Sequence, residues 1–332
     1  MRGTLSWAVD LGVAKALALP VLLVIVLGGY AGQQVPPANN GQDSGSFRIS
    51  VDVDMVVLPA TVRDRQGRFV SELREQAFEV YEDGVPQRIR LFRHEDIPVT
   101  VGLVVDHSGS MRRKLAEVTA AARTFVQSSN PEDQMFVVNF NENVTLGLPE
   151  AVRFTNSSEE LGRAISKADA DGKTALYDAV VEALERLQAG SRDKKVLIVI
   201  SDGGDNASAR SLAHVLKMAE QSSAIVYTIG IFQEDDPDAN PRVLSRLAQA
   251  TGGEAFFPDQ LSEVVSICER IARDIRNQYT IGYVSTNATR DGAYRAVRVV
   301  ARAAGHSKLS VRTRTWYIAG GEPRAGKEER AK

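Results

Sequence analysis

The fold is decided by one stretch, residues 99–110, which reads VTVGLVVDHSGS. Residues 99–105 form a nearly unbroken apolar run, as expected of a β-strand that is covered on both faces. The residues that follow carry an Asp, a His and two Ser around Gly109, which lets the backbone turn tightly. In open α/β sheets, ligands bind beyond the carboxyl ends of the strands, so this loop is where a site is expected.

Strands and helices alternate from this run to about residue 276. Apolar runs at residues 196–201 and 224–231 predict buried strands, and segments such as residues 175–188 repeat apolar residues at helical spacing. The alternation predicts an α/β fold with a doubly wound, mostly parallel sheet over residues 98–276.

Two β-rich flanks surround the α/β region. Residues 47–97 include a hairpin-like pair, residues 78–81 and 87–92. Residues 277–318 hold three further candidate strands, at 279–284, 294–301 and 309–317. Because three strands alone make a thin unit, we expect the flanks to pair into one small antiparallel β-domain. This β-sandwich would flank the α/β domain or hold it as an insertion.

The N-terminus has the layout of an export signal. Arg2 and Lys15 precede an apolar run at residues 16–27, and small residues follow. We therefore expect residues 1–32 to be a signal peptide, with the rest exported to the periplasm, the cell envelope or the medium. An uncleaved membrane anchor is the alternative, although the uninterrupted run is shorter than the ~20 residues that span a bilayer. Residues 33–46 are rich in Pro, Gly, Asn and Gln and are expected to form a flexible linker, and residues 319–332 are expected to form a disordered tail.

Composition excludes several classes of protein. Hydrophobic residues make up 43% and charged residues 25%, the balance of an ordinary globular chain. A net charge of −2 leaves no overall electrostatic attraction for nucleic acid, so no nucleic-acid partner is expected. The one cysteine, Cys268, has no internal disulfide partner, and its helical spacing with Val264 and Ile271 predicts a buried structural residue.

Oxygen-bearing side chains gather at three predicted strand-to-helix junctions. They supply two carboxylates and three hydroxyls: Asp106, Ser108, Ser110, Thr174 and Asp202. Hard oxygen ligands of low formal charge suit Mg²⁺ or Mn²⁺ rather than Zn²⁺. Taken singly, these residues are typical of helix caps and turns, but their conjunction at one predicted sheet edge favours a metal site.

This constellation resembles the metal-ion-dependent adhesion site of von Willebrand factor type A domains. The shared features are DxSxS after an apolar strand, a Thr before a helix, and Asp-Gly at the end of another strand. The resemblance covers about residues 98–275. The flanking sequences VYEDGVPQ and RNQYTIGY resemble those of exported bacterial proteins related to von Willebrand factor A.

The resemblance implies a role for each predicted ligand. Ser108, Ser110 and Thr174 would contact the metal through their hydroxyls. Asp106 and Asp202 would act mostly through waters or as charge-balancing groups. An open position on the metal would accept an Asp or Glu carboxylate from a partner protein.

Three function classes remain open on the sequence alone. The favoured class is an exported, metal-dependent adhesion or scaffold module that is not an enzyme. The second is a structural or assembly protein whose metal only stabilises the fold. The third is a hydrolase that uses the metal or Ser108 beside His107, although the Gly-x-Ser-x-Gly motif is missing.

A basic triplet, residues 112–114, lies in the first turn of a helix expected over residues 111–128. Cations there oppose the helix dipole. The triplet either attracts an acidic partner to the rim of the site or is a solvated face.

Overall fold

The computed structural model describes residues 55–232, 239–306 and 308–320. The expected signal or anchor, the linker, the start of the β-rich flank at residues 47–97 and most of the expected tail lie outside these ranges. Within them, none of the helices combines the length and apolarity needed to cross a bilayer.

The described residues form helices and strands in the following order. The strands are β1 (Met55–Arg63), β2 (Phe78–Glu82), β3 (Val85–Gln87), β4 (Ile89–Arg93), β5 (Val99–Asp106), β6 (Gln134–Phe140), β7 (Val144–Leu146), β8 (Lys194–Ser201), β9 (Ile225–Gly230), β10 (Ala255–Phe256), β11 (Tyr279–Val284), β12 (Tyr294–Ala301), β13 (Ser310–Arg312) and β14 (Trp316–Ile318). The helices are α1 (Leu115–Gln127), α2 (Ser158–Ile165), α3 (Leu176–Gln188), α4 (Leu212–Gln221), α5 (Pro241–Thr251) and α6 (Glu263–Arg276).

The central sheet has the strand order β10-β9-β8-β5-β6-β7. Neighbouring strands are parallel except β7, a short antiparallel edge strand that the sequence reading did not include. Every residue of β5 is buried, because helices cover both faces of the sheet. Helix α1 packs against α2 and α6, whereas α4 packs against α3 and α5. The predicted doubly wound, mostly parallel α/β fold is confirmed.

Two four-stranded antiparallel sheets accompany the α/β sheet, with the orders β13-β1-β11-β4 and β14-β12-β2-β3. In each, a strand that precedes the α/β region pairs with one that follows it: β1 with β11 and β2 with β12. The inward side chains of both sheets share one core, made by Leu58, Ala60, Val62, Phe78, Val80, Tyr279, Ile281, Tyr283, Val297, Val299 and Ala301. The antiparallel β-unit of the predicted fold class is therefore present.

The predicted hairpin between residues 78–81 and 87–92 is wrong in its second strand. β2 pairs with the short β3, and β4 pairs with β11 in the opposite sheet. The aromatic core explains the change: the ring of Phe92 lies 5.3 Å from that of Phe78 and 5.7 Å from that of Tyr279. Strand pairing here follows burial between the two sheets rather than closeness in sequence.

A buried polar network joins the antiparallel sheets to the α/β sheet. Asp274, on α6, is almost completely buried. Its Oδ1 accepts a hydrogen bond of 2.8 Å from Thr61 on β1, and its Oδ2 accepts one of 2.8 Å from Tyr227 on β9. The Arg312 guanidinium, on β13, donates to the same Oδ2. A buried charge is tolerated when it is paired and hydrogen-bonded, so this network fixes how α6 contacts the flanking strands.

Candidate metal site

Three loops meet at the carboxyl edge of the central sheet. The loop after β5 receives a backbone hydrogen bond from the loop before α3, from Asp171 N to His107 O at 2.9 Å. The loop after β8 continues to Asn206, whose N donates to Thr174 O at 3.0 Å. Since β5 and β8 are parallel neighbours, their carboxyl ends lie side by side. The topology thus brings the three sequence segments together.

Four of the predicted ligands contact one another. Ser110 Oγ donates to Asp202 Oδ2 at 2.5 Å, and the hydroxyls of Ser108 and Ser110 lie 3.1 Å apart. The backbone N of Ser108 donates to Asp106 Oδ1 at 2.8 Å, which closes the loop after β5 on itself. These contacts form one chain of hydrogen bonds from Asp106, at the end of β5, to Asp202, after β8.

Asp106 is fully buried, and both of its carboxylate oxygens accept hydrogen bonds. Ser201 Oγ donates to the second of them, Oδ2, at 2.6 Å. Burial and the nearby charge of Asp202 raise the pKa of Asp106 to about 6. Among the described residues, neither Asp106 nor Asp202 has a Lys, Arg or His partner within ion-pair distance.

The donor set fits a hard divalent cation. Two adjacent buried carboxylates of the same sign need a compensating positive charge, and oxygen is the ligand that Mg²⁺ prefers. No group of three or more His, Cys, Asp or Glu side chains in the described ranges is arranged to hold a metal. A cation at this edge would therefore depend on hydroxyl oxygens as well as on the carboxylates.

Thr174 is held in the neighbouring loop and stays outside that chain of contacts. Its backbone N donates to Asn206 Oδ1 at 2.9 Å, and its side chain is mostly buried. No hydrogen bond joins its hydroxyl to the other predicted ligands. Nor does Thr174 cap α3: the free N–H groups of that helix donate instead to Asp205 Oδ2 and Ser208 Oγ, at 2.9 and 3.1 Å.

His107 faces away from the neighbouring hydroxyl. Its Nδ1 lies 3.1 Å from the carbonyl oxygen of Val105, and its Nε2 lies 2.8 Å from that of Ile165. Because both ring nitrogens face backbone carbonyls, neither is placed to take a proton from Ser108. The imidazole instead fastens the loop after β5 to the end of α2.

The expected position of the basic triplet is wrong. Helix α1 begins at Leu115, after a short 3-10 turn over Gly109–Met111, so the triplet precedes the helix. Lys114 is buried, and its Nζ donates to the carbonyl oxygen of Ile231 at 2.7 Å. Arg112 and Arg113 are exposed, and Arg112 bonds to Asp171 at 3.2 Å. Of the triplet, therefore, only these two arginines are exposed.

Two residues that support the site were not predicted from the sequence. Ser201 orients Asp106, and Asn206 holds Thr174. Their position in the sequence could have indicated this role, because both lie within a few residues of Asp202, at the end of β8 and in the loop that follows it. A buried carboxylate such as Asp106 needs donors, and the neighbouring strand end is where they would be found.

Comparison with known families decides the identity of the fold. The family model described as von Willebrand factor type A domain matches residues 100–270. The chain belongs to this family. The match includes β5 through most of α6, and hence all of the loops at the candidate metal site.

Relatives of this von Willebrand factor type A protein occur in animals and bacteria. It is 27% identical to inter-alpha-trypsin inhibitor heavy chain H2 of Mus musculus, over 56% of this chain and 21% of that one. It is 23% identical to an uncharacterised protein of Synechocystis sp., over 54% of this chain and 42% of that one. The chain thus spans less than half the length of these curated relatives.

A solved structure, von Willebrand factor type A from Catenulispora acidiphila, is similar in shape. The similarity covers 80% of this chain and 74% of that one, at 15% identity and a TM-score of 0.49.

Proposed function

We propose that this chain is an exported, metal-dependent protein-binding module with an adhesion or scaffold role. Mg²⁺, or Mn²⁺, would bind at the carboxyl edge of the central sheet and coordinate an Asp or Glu carboxylate of a partner protein. The proposed ligand set is Asp106, Ser108, Ser110, Thr174 and Asp202. The observation that carries the proposal is the contact from Ser110 to Asp202, which gathers ligands from two adjacent strands.

The hydrogen bonds of these residues indicate which of them would bind the cation directly and which would balance its charge. Both oxygens of Asp106 already accept protein donors, so this carboxylate is suited to balance charge and to orient the loop rather than to bind the cation directly. Ser108 and Ser110 offer neutral hydroxyl oxygens close together. Neutral ligands leave most of the cation's charge uncompensated, which favours an added carboxylate at an open position.

We further propose that the module has no catalytic role. A serine hydrolase needs a base beside its nucleophile, whereas both ring nitrogens of His107 face backbone carbonyls. Cys268 is buried in α6, with its thiol pKa raised to about 12, which disfavours thiolate chemistry.

The proposal also includes export of the chain and its division into domains. We infer that residues 1–32 direct export to the periplasm, cell envelope or medium, and contact a membrane only if uncleaved. Residues 47–97 and 277–318 would form one β-domain, with residues 98–276 as the binding domain. The pairing of β1 with β11 and of β2 with β12 supports this division.

Calorimetric titration of Mg²⁺ and Mn²⁺ into the full-length chain, solubilised in mild detergent, tests the metal site. We expect saturable binding that is lost in Asp106→Ala. Because Asp106 is buried and its replacement risks misfolding, Ser110→Ala at the exposed end of the loop is the second variant. Ser266→Ala, an exposed hydroxyl on α6, is the matched control and should bind normally. No binding by the wild type, or equal binding by Ser110→Ala, would overturn the proposal.

A further inference from the structure

Two exposed phenylalanines lie side by side at the carboxyl edge of the central sheet. Phe232 follows β9 and Phe257 follows β10, and their ring centroids are 6.0 Å apart. Their exposed fractions are 36% and 40%, which places both among the few large hydrophobic side chains exposed in the described ranges. We name them the aromatic pair. Contiguous exposed apolar surface on a soluble domain commonly marks an interaction site.

The strand register places Phe257 level with the end of β8, where the Asp202 loop of the candidate metal site begins. In the parallel ladder Ser201 lies opposite Gly230, and the last paired residues of β9 and β10 are Ile229 and Phe256. Phe257 is therefore level with Gly230 and Ser201, two strands away from the latter. At ~4.8 Å between strands, the backbone of Phe257 lies about 10 Å from the start of the Asp202 loop.

The ring of Phe257 is held in place by its neighbours. A Cβ at position 230 would lie 2.6 Å from Cδ1 of Phe257, so only glycine lets the ring lie against the end of β9. Leu244 on α5 supports the same spot, with its Cδ1 3.0 Å from that Cβ position. An aromatic ring fixed in this way loses little conformational entropy when a partner covers it.

The segment that carries Phe232 is fastened to the metal-site loops. Ile231 N donates to Ser201 O at 3.0 Å, and Lys114 Nζ donates to Ile231 O at 2.7 Å. Both the loop after β5 and the end of β8 therefore fix the position of this segment. Exposed Arg112 bonds to the loop before α3, and a bound cation beside it would make the adjoining surface attractive to an anionic partner.

We infer that the aromatic pair is a second subsite of the same surface, which takes a large apolar side chain from the segment whose carboxylate binds the metal. This inference rests on the proposed function. An extended segment rises ~3.3 Å per residue, so the span of about 10 Å between the Asp202 loop and the backbone of Phe257 corresponds to about three residues. The partner is thus an extended peptide segment with an Asp or Glu and, about three residues away, an aromatic or large aliphatic side chain.

Peptide display on the immobilised full-length chain tests this inference. The library carries one fixed Asp with all other positions randomised; binding is in Mg²⁺ and elution is with EDTA. We expect enrichment of large apolar residues about three positions from the Asp. A synthetic peptide of the selected sequence should bind the double variant Phe232→Ser, Phe257→Ser at least about tenfold more weakly, since a buried aromatic contact is lost. Mg²⁺ affinity of that variant should equal that of the wild type.

Val85→Ser is the matched control, because Val85 is an exposed apolar residue on β3 of the antiparallel sheets. It should bind the selected peptide as the wild type does. Selected peptides without an apolar bias, or equal binding by the double variant, would overturn the inference. A chain that binds Mg²⁺ and yet yields no EDTA-eluted peptide would contradict both the inference and the proposed recognition of a partner carboxylate. Absence of Mg²⁺ binding by the wild type overturns the proposed function instead, and the inference with it.

Discussion

The hydroxyl of Ser110 donates a 2.5 Å hydrogen bond to the carboxylate of Asp202, 92 residues further along the chain. The two residues follow β5 and β8, which are adjacent and parallel, so the topology of the sheet creates the contact. A short O–H···O⁻ bond of this kind fixes both groups where a cation could share their oxygens. The proposed metal dependence is built on this pair.

Asp202→Asn should remove Mg²⁺ binding and yet stabilise the metal-free protein. Burial, and after it the charge of Asp202, raises the pKa of Asp106, so the two carboxylates repel each other when no cation lies between them. Removing one charge should raise the free energy of unfolding in EDTA by about 1 kcal/mol. Thermal melts with EDTA and with Mg²⁺ measure both effects. Exposed Asp259→Asn serves as the control, and a Mg²⁺-dependent rise in Tm that persists in Asp202→Asn would contradict the prediction.

Asp274→Ala should be among the most damaging single changes outside the sheet cores. The substitution removes the acceptor for Thr61, Tyr227 and Arg312 at once and leaves a mostly buried guanidinium without its closest carboxylate. We expect a loss of about 3–5 kcal/mol in the free energy of unfolding, measured by denaturant titration. A loss below about 1 kcal/mol, as expected for an exposed residue, would show that the network does not hold α6 to the flanking strands.

Two glycines with similar positive φ should respond differently to replacement by alanine. Gly252 and Gly292 have φ of 78° and 71°. A Cβ on Gly252 would lie 2.3 Å from the backbone N of Arg314, whereas one on Gly292 meets nothing within 4 Å. Gly292→Ala should lower the free energy of unfolding by only about 1 kcal/mol, because a residue with a Cβ is strained at positive φ. Gly252→Ala should cost more, because the segment after β13 must also move. Equal losses in parallel unfolding experiments would refute the packing argument.

Cys268 should resist alkylation in the native protein at every pH at which the fold persists. Burial, with the nearby charge of Glu269, raises its pKa to about 12, and only the thiolate reacts. Between pH 7 and pH 9, iodoacetamide should leave the folded chain unmodified and label it fully in guanidinium chloride, as read by mass spectrometry. If the native protein were labelled with the pH dependence of a free thiol, which has a midpoint of about pH 8.5, the result would be incompatible with this structure.

Much of the α/β fold was predictable from periodicity, because β5 and β8 are buried on both faces and their sequences are almost continuously apolar. The separation of β4 from β3 could not be predicted, because local turn chemistry favours one hairpin over residues 78–92. Only the aromatic core around Phe92 places β4 in the other sheet. At the site, the sequence motif predicted the ligand residues but not the hydrogen bonds among them. The burial of Lys114 depends on an acceptor, Ile231 O, that lies 117 residues away.

The proposed metal site is tested most directly by the water-proton relaxation of Mn²⁺ bound to the full-length chain. We predict strong enhancement, because water occupies the open position, and a fall in enhancement when N-acetyl-aspartate amide is added. The N-acetyl-asparagine amide should have no such effect, and Ser110→Ala should show no enhancement at all. If Mn²⁺ binds but its relaxation enhancement does not change when the carboxylate is added, the ion only stabilises the fold. Failure of the chain to bind Mn²⁺ would contradict the metal site itself.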